Sequence, residues 1–337
     1  MQTKALRSCL TLLLLAMPAA WADESQLTVN QWLDRMNMAV ESLDYRGTLI
    51  QIRGGQMGTF EVIRRVDDDG VRERVYALDG PPQEMIREGN QFRSTIQGNR
   101  SNWFYSDLQQ RLIPHQPVNQ MAGLNSAYEM RLGGIDRVAG YEAQRIDIWP
   151  RDAFRYGQQL WLEQQTGMLL RSRMLNAQGQ VLVEQVFVKM EMGASISDRD
   201  LEPQTARVFD APAQKNWQQP ESDADPEAIR MSGLLRPLWG PRQVPAHFQL
   251  INADHGRSDL DSAFDHLLFS DGLTSFSVYI DHAPMRPVET QLDSMGTVHV
   301  FTGMMGQRQF TIMGQVPAQT VEFVGRQFLD GSDRRER

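Results

Sequence analysis

The sequence predicts an α+β protein: one large, strongly curved antiparallel sheet whose concave side is covered or plugged by helices, then a smaller β-rich domain with helical cover. Three observations predict it. Short apolar runs alternate with Gly- and Asp-rich turn signals at hairpin spacing from Tyr45 to Met190. Helical periodicity is confined to a few stretches. A Pro-rich acidic break divides the chain, and 337 residues at 41% hydrophobic are enough for two packed domains of about 100–200 residues each.

The elements follow in order. Residues 1–22 read as a secretory signal: Lys4 and Arg7 give a positive start, Leu10 to Met17 is apolar, and Ala20-Trp21-Ala22 is a small-x-small cleavage site. The apolar run is too short for a bilayer that needs about 20 residues. Cys9, the only cysteine, lies inside this segment, so the mature chain has no thiol and no disulfide framework. Its stability must come from a packed core, and the compartment implied is the bacterial periplasm. From Thr28 to Leu43, Val29, Trp32, Leu33, Met36, Ala39, Val40 and Leu43 share one helical face, with Thr28 as N-cap. Tyr45–Ile52, Thr59–Val66 and Val71–Leu78 read as strands joined by Gly54-Gly55 and by Asp67-Asp68-Asp69-Gly70. Shorter strands are expected at Gln91–Ile96, Trp103–Tyr105 and Gln109–Ile113, and a second helix over about Val118–Leu132. Tyr141–Trp149, Gln158–Glu163, Leu169–Leu175 and Val181–Met190 return to strand, with turns at Thr166-Gly167 and Gln178-Gly179 short enough to force antiparallel neighbours.

The first domain is thus placed at 23–205. Four prolines and a run of acidic residues then mark a solvated linker, placed at 206–231. The second domain, 232–330, carries strands near Phe248–Asn252, His266–Ser270, Leu273–Ile280, Thr297–Phe301 and Arg308–Met313, with Asp271-Gly272 as a hairpin turn and Gly303–Gly306 as another. Pro317 opens a last helix with Val321, Val324 and Phe328 on its apolar face. Residues 331–337 form a charged, frayed tail.

Charge and motifs exclude several functions. Asp plus Glu number 42 against 34 Lys plus Arg, and removal of the signal leaves a charge of −10, which argues against a nucleic-acid binder. The six histidines are scattered, and with no mature cysteine a zinc site is not expected. Asp67-Asp68-Asp69-Gly70 lacks calcium-loop spacing, since Tyr76 stands where the loop needs Glu. There is no G-x-S-x-G elbow and no phosphate loop. No catalytic residue and no cofactor are expected; a two-carboxylate hydrolase is the residual enzymatic reading, because carboxylates are plentiful but no pair stands out. The strands of the first domain offer Phe60, Val62, Trp103, Tyr105, Leu160, Trp161, Leu162, Met174 and Phe187. On the concave side of a curved sheet such residues can hold an acyl chain, each buried CH₂ contributing about 0.8 kcal/mol. The same residues can equally fill a sheet–helix core. Nine arginines lie between Tyr45 and Arg100, among eight acidic residues.

Ordered blocks of residues then carry a resemblance. Leu43-Asp44-Tyr45-Arg46-Gly47-Thr48 after the first helix, Leu160-Trp161-Leu162-Glu163 leading to Thr166-Gly167-Met168-Leu169-Leu170-Arg171-Ser172, Ser270-Asp271-Gly272-Leu273 before Ser277-Val278-Tyr279-Ile280, and Met313-Gly314-Gln315-Val316-Pro317 before Thr320-Val321 resemble the RseB/MucB family. Two positions depart from the family pattern: His247 stands where a Gly commonly precedes Phe248, and Gln315 where an acidic residue is common. The resemblance implies a first domain similar to the LolA/LolB lipoprotein carriers, an unclosed antiparallel β-barrel with helices in its concavity. It implies a periplasmic, non-enzymatic regulator of the envelope-stress sigma factor. Such a regulator binds the periplasmic segment of a membrane-spanning anti-sigma factor of the RseA/MucA type and shields it from site-one cleavage by a DegS-type protease. Lipopolysaccharide or another misplaced lipid releases it. Within that picture Arg64, Arg65, Arg72 and Arg74 are expected near the mouth of the lipid cavity, gripping phosphates, and the second domain is expected to supply much of the partner contact. Self-association is a further expectation. The alternative function is a periplasmic lipid or lipoprotein carrier.

Overall fold

A computed structural model of the chain describes residues 27–68, 70–89, 91–96, 124–203, 240–257, 263–282 and 288–332. The signal segment, the expected strands at Trp103–Tyr105 and Gln109–Ile113, the linker at 206–231 and residues 333–337 lie outside the described residues.

Helix α1 (Val29–Ser42) begins where the sequence places it. The Thr28 hydroxyl accepts from the Gln31 N–H at 3.3 Å while the Gln31 side chain accepts from the Thr28 N–H at 2.8 Å, a reciprocal capping box. Strands β1 (Tyr45–Arg53), β2 (Gln56–Asp67), β3 (Gly70–Ala77), β4 (Gln83–Glu88) and β5 (Gln91–Ile96) follow as an antiparallel meander. Gly54 and Gly55 both adopt positive φ, the backbone a two-residue hairpin loop requires. After the four-residue helix α2 (Leu124–Ala127) comes a second meander: β6 (Tyr128–Val138), β7 (Tyr141–Pro150), β8 (Gly157–Glu163), β9 (Leu169–Leu175) and β10 (Val181–Met192), then α3 (Asp198–Leu201). Antiparallel pairing of β1 with β10 joins the meanders into one ten-stranded sheet, β5-β4-β3-β2-β1-β10-β9-β8-β7-β6. Its two ends, β5 and β6, do not pair with each other, so the sheet curls without closing. Six further strands build a second sheet: β11 (Gln249–Arg257), β12 (Ala263–Ser270), β13 (Ser275–Asp281), β14 (Gln291–Met295), β15 (Val298–Met305) and β16 (Arg308–Gly314), in the order β11-β12-β13-β16-β15-β14. Helix α4 (Ala318–Ser332) packs on it with Val321, Val324 and Phe328 buried against Phe301, Phe310 and Ile312. Among the described residues no helix is long and apolar enough to cross a membrane.

Two expectations are corrected. Of the helix expected over Val118–Leu132, the described residues hold a single turn, Leu124–Ala127, and Tyr128 onward is strand. The turn Ala139-Gly140, both at positive φ, folds β6 back onto β7, and a bulge between Leu132 and Ile135 bends it. Cross-strand pairing there overrides the local helical spacing. Gly303 to Met305 belong to β15, and only Gly306-Gln307 form the turn. Strands β4 and β14 were not expected, for opposite reasons. In β4 the charged residue Glu84 is buried, hiding the apolar signal, whereas every residue of the edge strand β14 is exposed and needs none.

Candidate functional site

Register decides which side chains share the face that α1 covers. Phe60, Val62 and Arg64 of β2 stand opposite Leu49, Gly47 and Tyr45 of β1, and Val62 and Arg64 also stand opposite Val75 and Glu73 of β3. Phe187 lies across from Leu49 and meets Tyr45 edge-on at 6.1 Å between ring centres. Leu160 and Leu162 pack with Ile146 and Ile148 of β7 against Trp32, Leu33 and Met36 of α1. Phe60, Val62, Leu160 and Phe187, expected from the sequence as lipid-contacting, therefore line the sheet's helix-covered side, and Val62, Leu160 and Phe187 are buried there by the protein's own side chains. Trp161 is also buried but alternates with Leu160 along β8. Its indole N–H donates to Asp136 at 2.6 Å, and the guanidinium groups of Arg171 and Arg173 lie 4.7 and 5.4 Å from its ring centre. Met174 is half-buried, and Trp103 and Tyr105 lie outside the described residues. An acyl chain entering this face must displace apolar side chains of α1.

The four arginines expected at one mouth are separated by the period of two along a strand, and that expectation is corrected. Arg64 points to the α1 side. It is fully buried, pairs with Glu73 at 3.1 Å and donates to the Val40 carbonyl of α1. Arg65, Arg72 and Arg74 project from the opposite face. Arg74 and Glu84 form a second buried pair at 2.6 Å, with the guanidinium stacked on Tyr76. Arg65 and Arg72 both reach Asp198, at 2.6 and 3.0 Å, and Arg46 reaches Asp200 at 2.7 Å. These arginines thus hold a strap, Ala194–Pro203, whose Ala194, Ile196 and Leu201 pack on Ile63. Hydrogen bonds from Ser197, then the Arg46 guanidinium, hold the Asp200 carboxyl far below its ordinary 3.8. Its ionised form therefore favours the docked strap above that pH, and the contribution fades as pH falls below it. Amide protection factors in Ser197–Leu201, taken against the intrinsic rate at each pH, should fall on acidification below about pH 4, and Asp200→Asn should lower them at neutral pH and flatten the response. An unchanged profile in the variant would assign the anchoring to Asp198 alone.

A third cluster joins the two domains. Arg155, in the loop between β7 and β8, is fully buried. It pairs with Asp271 of the β12–β13 turn, pairs with Asp152, donates to the Ala246 carbonyl and lies 4.3 Å from the Phe248 ring centre. Asp271 also accepts from the Tyr128 hydroxyl at 2.8 Å and from the N–H groups of Leu273 and Thr274, both at 2.9 Å, so each carboxylate oxygen is saturated. Burial first, and the Asp271 charge second, push the Tyr128 hydroxyl well above its ordinary value and keep it a donor. Leu273 is buried in the first-domain cluster formed by Trp32, Leu33, Met36, Leu124 and Tyr128. Phe154 lies tilted against Phe323 of α4 at 5.3 Å between ring centres, and its carbonyl accepts from Thr320.

His247, between the two residues that embrace Arg155, has φ +69°, a left-handed conformation favouring glycine. This explains the Gly expected there. His247→Gly should relieve that strain and, after the added freedom of the unfolded chain, stabilise the protein by about 0.5–1 kcal/mol. A lowered melting temperature would show that the imidazole makes a compensating contact. In the sequence Asp271 reads only as a turn residue and nothing singles out Arg155; the one available signal is that Ser270-Asp271-Gly272-Leu273 belongs to the blocks carrying the family resemblance.

Comparison with known proteins completes the site. Residues 28–205 match the model of the MucB/RseB N-terminal domain, and residues 235–328 that of the MucB/RseB C-terminal domain. The sigma factor AlgU regulatory protein MucB of Pseudomonas aeruginosa is 30% identical over 321 residues, covering 92% of each chain. The sigma-E factor regulatory protein RseB of Haemophilus influenzae is 26% identical over 318 residues, covering 94% of this chain and 95% of that one. Among solved structures, the MucA/MucB complex of Pseudomonas aeruginosa superimposes with a TM-score of 0.65 at 28% identity, over 88% of this chain and 96% of that one. MucB in complex with MucA(peri) gives 0.63 at 27% identity, over 88% and 97%.

Proposed function

The chain belongs to the MucB/RseB family, and from that premise we propose that it is a periplasmic negative regulator of an envelope-stress sigma factor. It acts by binding rather than by catalysis. Its partner is the periplasmic segment of a membrane-spanning anti-sigma factor of the MucA/RseA type, which it shields from site-one cleavage by a DegS-type protease. The observation that carries this reading is the match along both domains to proteins named as sigma-factor regulators, joined to a solved complex of MucB with MucA(peri). Lipopolysaccharide or another misplaced lipid releases the segment.

The physics supports a switch of that kind. A partner segment that orders on binding loses conformational entropy, so modest competition shifts the complex. A lipid moves the equilibrium only by its preference for the partner-free form, about 1.4 kcal/mol for each factor of ten. The second domain favours a regulator over a simple lipid carrier, which needs the first sheet alone.

The test is cleavage of a MucA periplasmic domain by its site-one protease, with and without this protein and lipopolysaccharide. Protection by the protein that lipopolysaccharide relieves is the expected result. Cleavage at an undiminished rate in the presence of excess protein would overturn the reading. Acyl chains that co-purify and pass to an acceptor, without protection, would favour the carrier.

A further inference from the structure

The joint between the domains is built from parts that do different work. Arg155 and Asp271 come from different domains, and both side chains are fully excluded from solvent. A buried ion pair is a weak source of net stability, because desolvation offsets attraction, yet it punishes any arrangement that leaves one charge unmatched. It therefore selects one orientation of the second domain against others. Asp271 is held in that geometry by the N–H groups of its own turn and by Tyr128 across the joint. Two residues on, Leu273 inserts into the apolar cluster that contains the buried face of α1. The turn thus touches both the ion pair and the packing beneath the helix. A change in how α1 sits on the first sheet alters the seat of Leu273 directly, since packed interiors do not deform continuously.

We propose that the Asp271–Leu273 turn is a key by which the second domain senses the packing beneath α1, and that its seating sets the grip on the partner segment. Seated, the two domains present one fixed surface. Unseated, they change relative orientation and the grip weakens. This inference rests on the partner reading given above and adds to it the element that does the switching.

The experiment uses the full mature chain, with spin labels at Val181→Cys and Gln307→Cys, exposed positions in the first and second domains. Arg155→Met and Leu273→Ala break the joint from opposite sides, so the conclusion does not hang on one variant folding, and circular dichroism confirms each fold. The wild-type chain should give one narrow interdomain distance. Both variants should broaden it and bind a MucA periplasmic domain about tenfold more weakly. An interdomain distance that stays narrow in both variants overturns the proposal. So does a broadened distance with unchanged affinity, which makes the joint a structural fastener while leaving the proposed function standing. If the wild-type chain itself does not bind the MucA domain, the proposed function falls and the proposal with it.

Discussion

Replacing Glu73 with alanine should destabilise the first domain by about 3–5 kcal/mol, because it strands the Arg64 guanidinium in the interior. Arg64 and Glu73 are both buried and meet at 3.1 Å, and Arg64 also donates to the Val40 carbonyl, which ties α1 to the sheet. A domain is stable by only about 5–15 kcal/mol, so this loss is a large fraction of the whole. At about 2–4 °C per kcal/mol for a domain of this size, the first-domain melting temperature should fall by roughly 6–20 °C. The double variant Arg64→Met with Glu73→Leu should recover most of the loss, since an apolar pair of similar volume avoids desolvation altogether. As a control, Glu322→Ala at the exposed pair with Arg326 on α4 should change stability by no more than about 0.5 kcal/mol. A Glu73→Ala loss below about 1 kcal/mol would mean that water reaches Arg64, and the pair would then have no part in fixing α1.

The same pair shows where sequence reading succeeds and where it stops. Helix α1, its Thr28 cap, the Gly54-Gly55 hairpin and the Asp271-Gly272 turn are legible because each is dictated by neighbours within a few residues. Arg64 and Arg65 are also adjacent, and alternation alone says that they face opposite ways. It does not say which face is inside, because that phase is set by β1 and β3, which pair with β2 from both sides. Charged residues are normally read as solvated, so the buried carboxylates Glu73 and Glu84, and the arginines they neutralise, gave no sign of their place. The joint was hidden for a related reason. Asp271 is a good turn residue in its own right, and its second role depends on Arg155, 116 residues away. The departure at His247 from the pattern that the family resemblance implies is visible in the sequence, but only a backbone angle gives it a physical meaning.

Shortening Leu33 to alanine carries the other large expected effect, and it bears on the proposed lipid binding. Leu33 has no exposed surface, and with Trp32 and Met36 it fills the space between α1 and strands β7 and β8. Its loss should lower stability by about 2–5 kcal/mol, the spread reflecting how far the neighbours collapse into the gap. Dry apolar gaps of this kind accept small apolar ligands. If acyl chains occupy the α1-covered face, the room left by Leu33 should strengthen binding even as it weakens the fold. Affinity for saturated fatty acids should then rise about fourfold per added CH₂ until the space is full, as expected from about 0.8 kcal/mol for each buried methylene. Isothermal titration with octanoate, decanoate and dodecanoate, on the wild-type chain and on Leu33→Ala, measures this. A variant that is destabilised yet binds all three equally weakly would show that the helix-covered face is a core and nothing more. The proposed lipid signal would then have to act at another surface, while the proposed grip on the partner segment would stand untouched.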